Sequence, residues 1–207
     1  MLFLPLVVSA LTFACDDPAK GKTKATTSEA QPVTAAATPT AGAKTFTFDA
    51  ASGSRVDWVG SKVTGKHEGG FRSFKGTIKV DPAAPEKGTV DVEIDTPSLY
   101  TDSEKLVGHL KSPDFFDAEN HPKARFVTTD VKKGEGTWTI TGNLTIRGVT
   151  KSITFPAKVS VKDAGVDVDA EFAINRKDFG MEYKGKADDL IRDDVLVKLA
   201  IRSKASS

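Results

Sequence analysis

The chain has 207 residues with 29 basic and 28 acidic side chains, a balance that argues against a nucleic-acid partner. It contains three histidines and one cysteine, too few for a zinc site built from Cys and His pairs. Because the sequence also has no metal-ligand cluster and no dinucleotide-binding loop, we expect no metal and no other cofactor. The length suits one sizeable domain with appendages.

The N-terminal segment MLFLPLVVSALTFAC is nearly all apolar and ends at the only cysteine, Cys15. It resembles the export signal of a bacterial lipoprotein, in which the cysteine is lipidated, although no basic residue precedes the apolar run. An ordinary cleaved signal peptide is the alternative. We expect lipidation, because a lone thiol in an oxidising compartment invites mispairing. A lipid-anchored protein on the periplasmic side of the bacterial cell envelope follows, with the membrane as a partner.

The next segment, residues 16–44, is rich in Ala, Thr, Pro and Lys and has no apolar period. Such a composition buries too little surface to offset the entropy cost of ordering the chain. It therefore predicts a disordered tether between the signal segment and a folded domain over residues 45–204.

Alternation of apolar and polar residues dominates the chain beyond Phe46. It predicts about eight strands, each with one buried face, and clean alternation is typical of antiparallel sheets. The predicted fold class is therefore all-β, as a sandwich or a closed barrel. The clearest apolar series are Val90, Val92 and Ile94; Trp138, Ile140, Leu144 and Ile146; Ile153, Phe155, Ala157, Val159 and Val161; Val166, Val168, Ala170, Phe172 and Ile174; and Val195, Val197, Leu199 and Ile201.

One region, residues 101–122, interrupts the strand pattern and predicts short helices between strands. Thr101 and Glu104 have the spacing of a capping box, and Ser112 before Pro113 predicts a second helix start. Phe115 and Phe116 follow as apolar anchors. His109 and His121 do not have the spacing of a metal-ligand pair, and we interpret both as structural.

Three segments, HLKSPDFFDAENHPKARFVTTDV, GNLTIRGVTKSITFPAKV and INRKDFGM, resemble in that order three segments of the YceI family, lipocalin-like proteins of the bacterial cell envelope. The resemblance covers nearly all of residues 45–204. It implies an eight-stranded antiparallel barrel with short helices between strands, and an interior that accommodates a polyisoprenoid chain. The implied partner is an isoprenoid-like lipid. The oligomeric state is left open.

An eight-stranded barrel is either filled by its own side chains or holds one slender ligand. Small residues among the large ones, such as Gly76, Gly142, Ala157 and Ala170, could leave a channel, and the sequence leaves both outcomes open. Arg176 has two open roles, which are to bind a polar head group or to pair with Asp178 and cap carbonyls. The candidate ligand-binding residues are Trp58, Phe74, Phe115, Phe116, Trp138, Ala157, Ala170, Phe172 and Arg176.

Two classes of function are therefore expected for this domain. The first is a non-enzymatic binding protein that sequesters or carries a polyisoprenoid-like lipid. The second is a ligand-free barrel that acts as an envelope interaction or stress-related accessory module. Motifs of hydrolases and dinucleotide-binding proteins are lacking in the sequence, which disfavours an enzyme.

Overall fold

Residues 17–33 and 42–206 are described by the computed structural model, and they form β-strands joined by short turns and one short α-helix. The helix, α1, spans Glu104–Lys111. Short 3-10 helices lie at Ala50–Ser52, Pro85–Lys87, Thr96–Ser98 and Arg176–Phe179. The strands in chain order are β1 (Thr26–Glu29), β2 (Lys44–Asp49), β3 (Arg55–Lys62), β4 (Gly65–Phe71), β5 (Phe74–Val80), β6 (Thr89–Asp95), β7 (Leu99–Thr101), β8 (Lys123–Lys133), β9 (Trp138–Ile146), β10 (Val149–Lys162), β11 (Gly165–Asn175), β12 (Gly185–Lys186), β13 (Asp189–Leu190), β14 (Asp194–Arg202) and β15 (Lys204–Ala205).

Eight long antiparallel passes of the chain account for most of these strands. Bends divide four of the passes, so that β2 continues into β3, β4 into β5, β6 into β7 and β14 into β15. The undivided passes are β8, β9, β10 and β11. The predicted eight-stranded antiparallel fold is confirmed, and the larger number of strand segments reflects these bends.

The passes close into a barrel through their hydrogen bonds. The sheet runs in the order β2, β5, β6, β8, β9, β10, β11 and β14. After Ser203, β15 pairs back onto β2, with Lys204 opposite Thr47. The pass formed by β2 and β3 therefore meets the last pass twice, since β3 also pairs with β14. Strand β4 then pairs with β3, and β7 pairs with β4. Each pass is therefore hydrogen-bonded to a pass on either side, except where β10 and β11 are only partly paired.

The core is formed by the alternating apolar residues that the sequence pattern predicts. In β10, Ile153, Phe155 and Ala157 are all buried. The ring of Phe155 stacks on that of Phe172 in β11, with centroids 4.1 Å apart and an angle of 14° between planes. Burying a large apolar side chain contributes about 1.5–3 kcal/mol, so this inward face is the main source of stability.

Two glycines predicted to leave space for a channel are instead covered by aromatic rings. A β-carbon added at Gly76 would lie 2.1 Å from Cζ of Phe48, and one added at Gly142 would lie 2.4 Å from Cζ of Phe126. Each ring comes from the neighbouring strand. Gly76 is paired with Phe48 itself, and Gly142 is paired with Thr128, which lies in β8 two residues after Phe126. Glycine at these positions allows a ring to lie flat against the sheet.

Substituting Gly76 with alanine should lower the free energy of unfolding by about 1–3 kcal/mol, because the added methyl group forces the Phe48 ring out of place. Urea denaturation measures this loss. Gly108 is the matched control: nothing lies within 4 Å of a β-carbon built there, and it is in α1. Gly108→Ala should raise stability by about 0.5–1 kcal/mol. Equal destabilisation by both changes would contradict the packing explanation.

One seam of the barrel lies between β10 and β11. Strand β10 pairs with β9 along Val149–Ala157 and with β11 only along Lys158–Lys162. The remaining part of β11, from Ala170 to Asn175, therefore has no partner from β10. This end of the two strands is splayed apart.

An N-terminal segment, residues 23–29, fills this seam. Strand β1 pairs antiparallel with residues 151–154 of β10. Beside it, the Ala25 amide donates to the Ala173 carbonyl at 2.8 Å, and the Ala173 amide donates to the Thr23 carbonyl at 2.9 Å. Ala25 is buried within the main core. The prediction of a disordered tether over residues 16–44 is therefore wrong for residues 17–33, because backbone pairing needs no apolar period; residues 34–41 lie outside the described residues.

Replacing Ala25 with proline should reduce the free energy of unfolding by about 1–3 kcal/mol, because it removes the amide that satisfies the buried Ala173 carbonyl. Hydrogen exchange should also become faster at the Ala173 amide, which donates to Thr23. Val33→Pro is the control, since Val33 is exposed and lies outside any strand. Unchanged exchange at Ala173 in Ala25→Pro would show that this segment does not stabilise the seam.

The helical region differs in detail from its prediction. Helix α1 begins after Ser103, and Thr101 does not cap it but donates from its hydroxyl to the Glu68 carbonyl at 2.9 Å. Ser112 ends α1, and the residues after it form turns in place of a second helix. Within the described ranges, no helix has both the length and the apolar character needed to cross a bilayer.

Candidate functional site

The barrel encloses a cavity of about 430 Å³, called here the barrel cavity. An engineered apolar cavity of about 150 Å³ is large enough to hold benzene, so this volume exceeds a packing defect. It falls within the usual range for ligand pockets, about 300–1,000 Å³. Its apolar walls come from most of the barrel strands and include Phe48, Ile78, Val92, Ile94, Ala124, Phe126, Ile140, Leu144, Ile153, Phe155, Val168, Phe172, Ile174, Val197 and Leu199.

Five of the nine candidate residues line the barrel cavity, and four do not. Those that line it are Trp58, Phe115, Phe116, Phe172 and Arg176. The others are buried in the core but do not line the cavity, namely Phe74, Trp138, Ala157 and Ala170.

The positions of three of these residues explain why they do not line the cavity. Trp138 is the first residue of β9 and is the last to pair with β10, opposite Ala157. It lies two residues before the lining residue Ile140, on the same face of the strand. Ala170 lies between the lining residues Val168 and Phe172 on the inner face of β11, but its side chain is a single methyl group. Ala157 and Ala170 therefore do not form part of the cavity wall.

Aromatic rings form much of the cavity wall. Phe126 packs against Phe155 with centroids 5.8 Å apart, and Phe71 meets Phe116 edge to face at 5.6 Å. Trp58 lies on the inner face of β3, and its indole Nε1 is buried without a hydrogen-bond partner. This surface suits an apolar chain, and the Trp58 N–H remains free to donate to an oxygen atom.

A group of basic residues lines one part of the cavity, called here the charged end, while the charged lining residue Asp57 lies farther along β3. The charged end includes Lys62 and His67, from the paired strands β3 and β4, and Arg192, whose amide donates to the Ser61 carbonyl at 2.8 Å. Lys62 forms an ion pair with Asp189, and this hydrogen bond holds the pKa of Asp189 below its ordinary value. The cavity thus has an apolar body and one polar end, as expected for an amphiphilic ligand.

His67 pairs with a carboxylate at this charged end. Its Nδ1 lies 2.8 Å from Oδ1 of Asp102. Burial opposes ionisation of Asp102, but hydrogen bonds from His67 and Thr101 outweigh it and hold its pKa below the ordinary value. The carboxylate is therefore ionised at neutral pH and holds the imidazole in place.

Arg176 has a structural role in the 3-10 helix after β11. Its side chain is only 4% exposed. The guanidinium donates to the carbonyls of Arg192 and Met181, the first at 3.1 Å, and to Oδ1 of Asp193 at 3.3 Å. Of its two expected roles, carbonyl capping is the one present, and its acidic partner is Asp193 in place of Asp178. Burial lowers the pKa of Arg176 from its ordinary value.

Arg192 was not predicted as a site residue. Its Nε is buried without a hydrogen-bond partner, and its Nη1 lies 3.6 Å from Oδ2 of Asp17. Nothing in the spacing of the surrounding residues reveals that the chain at Leu190 and Ile191 pairs with the end of β3. Arg192 has spare donor capacity at the charged end, which Arg176 lacks.

The two histidines in the helical region each face one carboxylate. His109 Nε2 lies 2.9 Å from Oδ2 of Asp114, and its ring packs edge to face on Phe115 at 5.0 Å. His121 Nε2 lies 3.8 Å from Oδ2 of Asp117. Among the described residues, no three or more His, Cys, Asp or Glu side chains come together as a metal site.

A closed antiparallel barrel around an apolar cavity defines a lipocalin-like fold. The model of the YceI-like domain family matches residues 46–203. The chain therefore belongs to the YceI-like family, as its sequence motifs indicate.

Proteins named UPF0312 are similar in sequence to this chain. A protein of Pseudomonas putida (strain W619) named as a UPF0312 protein is 34% identical over 153 residues, which cover 69% of this chain and 79% of the relative. A UPF0312 protein of Pseudomonas savastanoi pv. phaseolicola is 37% identical over 134 residues, covering 61% of this chain and 70% of the relative.

Solved structures share the same architecture. Burkholderia cenocepacia BcnA superposes with a TM-score of 0.68 at 28% identity, covering 75% of this chain and 98% of BcnA. A domain of Saccharophagus degradans, described as polyisoprenoid-binding and implicated in plant cell wall breakdown, has a TM-score of 0.61 at 18% identity. That match covers 77% of this chain and 98% of the domain, and it shows the shared fold.

Proposed function

We propose that the barrel cavity binds the apolar chain of a polyisoprenoid-like lipid and carries out no reaction on it. The observation that carries this proposal is a cavity of about 430 Å³ whose walls are almost entirely apolar. Each methylene removed from water contributes about 0.8 kcal/mol, so a partly enclosed chain binds without many polar contacts. The polyisoprenoid-binding description of the Saccharophagus degradans domain supports the choice of ligand class.

The polar end of the ligand is proposed to lie at the charged end of the cavity. Arg192 has a buried N–H without a partner at this end, and an oxygen on the ligand would accept from it. The unpartnered Trp58 N–H offers a second donor elsewhere in the cavity wall. Arg176 is not proposed as a head-group ligand, because its guanidinium already donates to backbone carbonyls and Asp193.

Native mass spectrometry of protein purified from its own host tests the proposal, followed by extraction of any bound lipid. We expect one bound amphiphile with a long apolar chain, and affinity for a series of prenyl compounds that increases with chain length. Recovery of no lipid, together with no binding of the series, would leave the alternative of a ligand-free envelope accessory protein.

We also propose that the protein acts in the cell envelope, attached through a lipid on Cys15. The support is the apolar sequence before the cysteine, which lies outside the described residues. Metabolic labelling with a fatty-acid analogue should mark the wild type and leave Cys15→Ala unlabelled. An unlabelled wild type recovered in the soluble fraction would favour an ordinary cleaved signal peptide.

A further inference from the structure

Exposed apolar side chains are concentrated at one place in the described part of the chain. Of the four large apolar residues that are exposed among the described residues, three lie close together, namely Val63 (52%), Leu190 (49%) and Tyr183 (37%). Tyr183 lies just before β12, and the chain after it reaches Leu190 because the Ile191 amide donates to the Lys184 carbonyl at 3.0 Å. Val63 is in the turn between β3 and β4, and Leu190 is in β13. The Val63 amide donates to the Leu190 carbonyl at 3.1 Å, so the two side chains belong to one surface. We call these three residues the apolar rim.

The apolar rim adjoins the charged end of the barrel cavity. Val63 follows the lining residue Lys62, and Leu190 precedes the lining residue Ile191. The ring of Tyr183 packs against Phe115, another lining residue, with centroids 5.7 Å apart. An apolar chain that leaves the cavity at this end therefore meets the rim first.

The N-terminal segment also begins at this end of the barrel. Asp17, the first described residue, lies beside Arg192 at 3.6 Å. The following residues are fixed by the ion pair of Lys24 with Asp194 at 2.7 Å and by the pairing of β1 with β10. Cys15, the proposed lipidation site, precedes Asp17 by two residues in the sequence, so a lipid attached there is tethered close to the apolar rim.

From these positions we infer that the apolar rim docks onto the surface of a lipid bilayer, with the charged end of the cavity facing the head groups. This rests on the proposed function, since a ligand of that class is dissolved in a bilayer. Residues 182–192 carry three basic and three acidic side chains, which balance. Docking is therefore driven by insertion of the apolar side chains, and it is insensitive to salt.

An environment-sensitive fluorophore tests the docking directly. It is attached to Leu190→Cys, or to Val33→Cys as the matched control, in the full chain with Cys15→Ser so that each protein has one thiol. Val33 is the fourth exposed large apolar residue and is 51% exposed. With phosphatidylcholine vesicles, the dye at 190 should shift to shorter wavelength equally at low and high salt, and the dye at 33 should not. Aqueous spectra at both positions would overturn the inference.

Two further outcomes separate this inference from its alternatives. A shift at 190 that appears without vesicles and increases with protein concentration would assign the rim to contact between copies of the chain, and would overturn bilayer docking. Prenyl binding is measured separately without vesicles. If the protein binds prenyl compounds but the dye at 190 shows no vesicle-dependent shift, only the bilayer docking is wrong. If the dye shifts but no prenyl compound binds, the proposed function is wrong and the docking surface stands.

Discussion

Ala124→Phe should lower the affinity of the barrel cavity for a long prenyl chain by about 100-fold. Ala124 is buried in β8 and lines the cavity opposite Ile94 in β6. A phenyl ring there displaces roughly three or four methylenes of the ligand, each contributing about 0.8 kcal/mol, and about 1.4 kcal/mol corresponds to tenfold in affinity. Titration with a fluorescent prenyl analogue measures the change.

The control is Lys132→Phe, which places the same ring on the exposed part of β8. It should bind the analogue as the wild type does. Val168→Phe fills the cavity from β11 and gives an independent variant if Ala124→Phe folds poorly. Wild-type affinity in both filled variants, with circular dichroism showing a native fold, would place the ligand outside the barrel cavity.

Arg176→Met should lower the free energy of unfolding by about 3 kcal/mol. Removing the guanidinium leaves the carbonyls of Arg192 and Met181 without their donor, and an unsatisfied buried acceptor costs about 1–3 kcal/mol. Urea denaturation measures the loss. Arg176→Lys keeps the charge but offers a different donor geometry, so its effect should be intermediate.

Arg192→Met is the comparison that separates the two arginines. Its Nε has no partner in the structure, so its loss should change stability by less than about 1 kcal/mol while weakening binding of ligands with an oxygen-rich head group. The reverse result, with Arg176→Met stable and deficient in binding, would restore Arg176 as a head-group ligand and exclude the structural role.

The barrel could be predicted from the sequence because its signal is local and repeated. From Ile153 to Val161 in β10 and from Val166 to Ile174 in β11, every second residue is apolar, so the inward face, including Phe155 and Phe172, follows from pattern alone. The interior volume could not be predicted, since it depends on how side chains from opposite walls fill the space. Gly76 illustrates this: it adds no free space, because the Phe48 ring of the neighbouring strand covers it.

Features that depend on backbone pairing between distant parts of the chain could not be predicted either, because local sequence patterns do not record such pairing. Residues 23–29 carry mostly Lys, Ala, Thr and Ser, and their place in the wall comes from amide and carbonyl groups that every residue has. Arg192 joins the charged end only because the chain around it pairs beside Ser61. Arg176 lies in a motif that the sequence analysis singled out, but its hydrogen-bond acceptors could not be predicted. They are the carbonyls of Met181 and Arg192, five and sixteen residues later in the chain, and no sequence spacing indicates such contacts.

The seam between β10 and β11 has a consequence for any shortened form of this protein. The family match begins at residue 46, whereas the strand that fills the seam is β1, at Thr26–Glu29. A fragment cut at the family boundary would leave the amide and carbonyl groups of residues 151–154 and Ala173 without their partners. Such an edge accepts a strand from another molecule, which is a route to aggregation. In the intact chain the same geometry allows two molecules to exchange β1, giving a domain-swapped dimer.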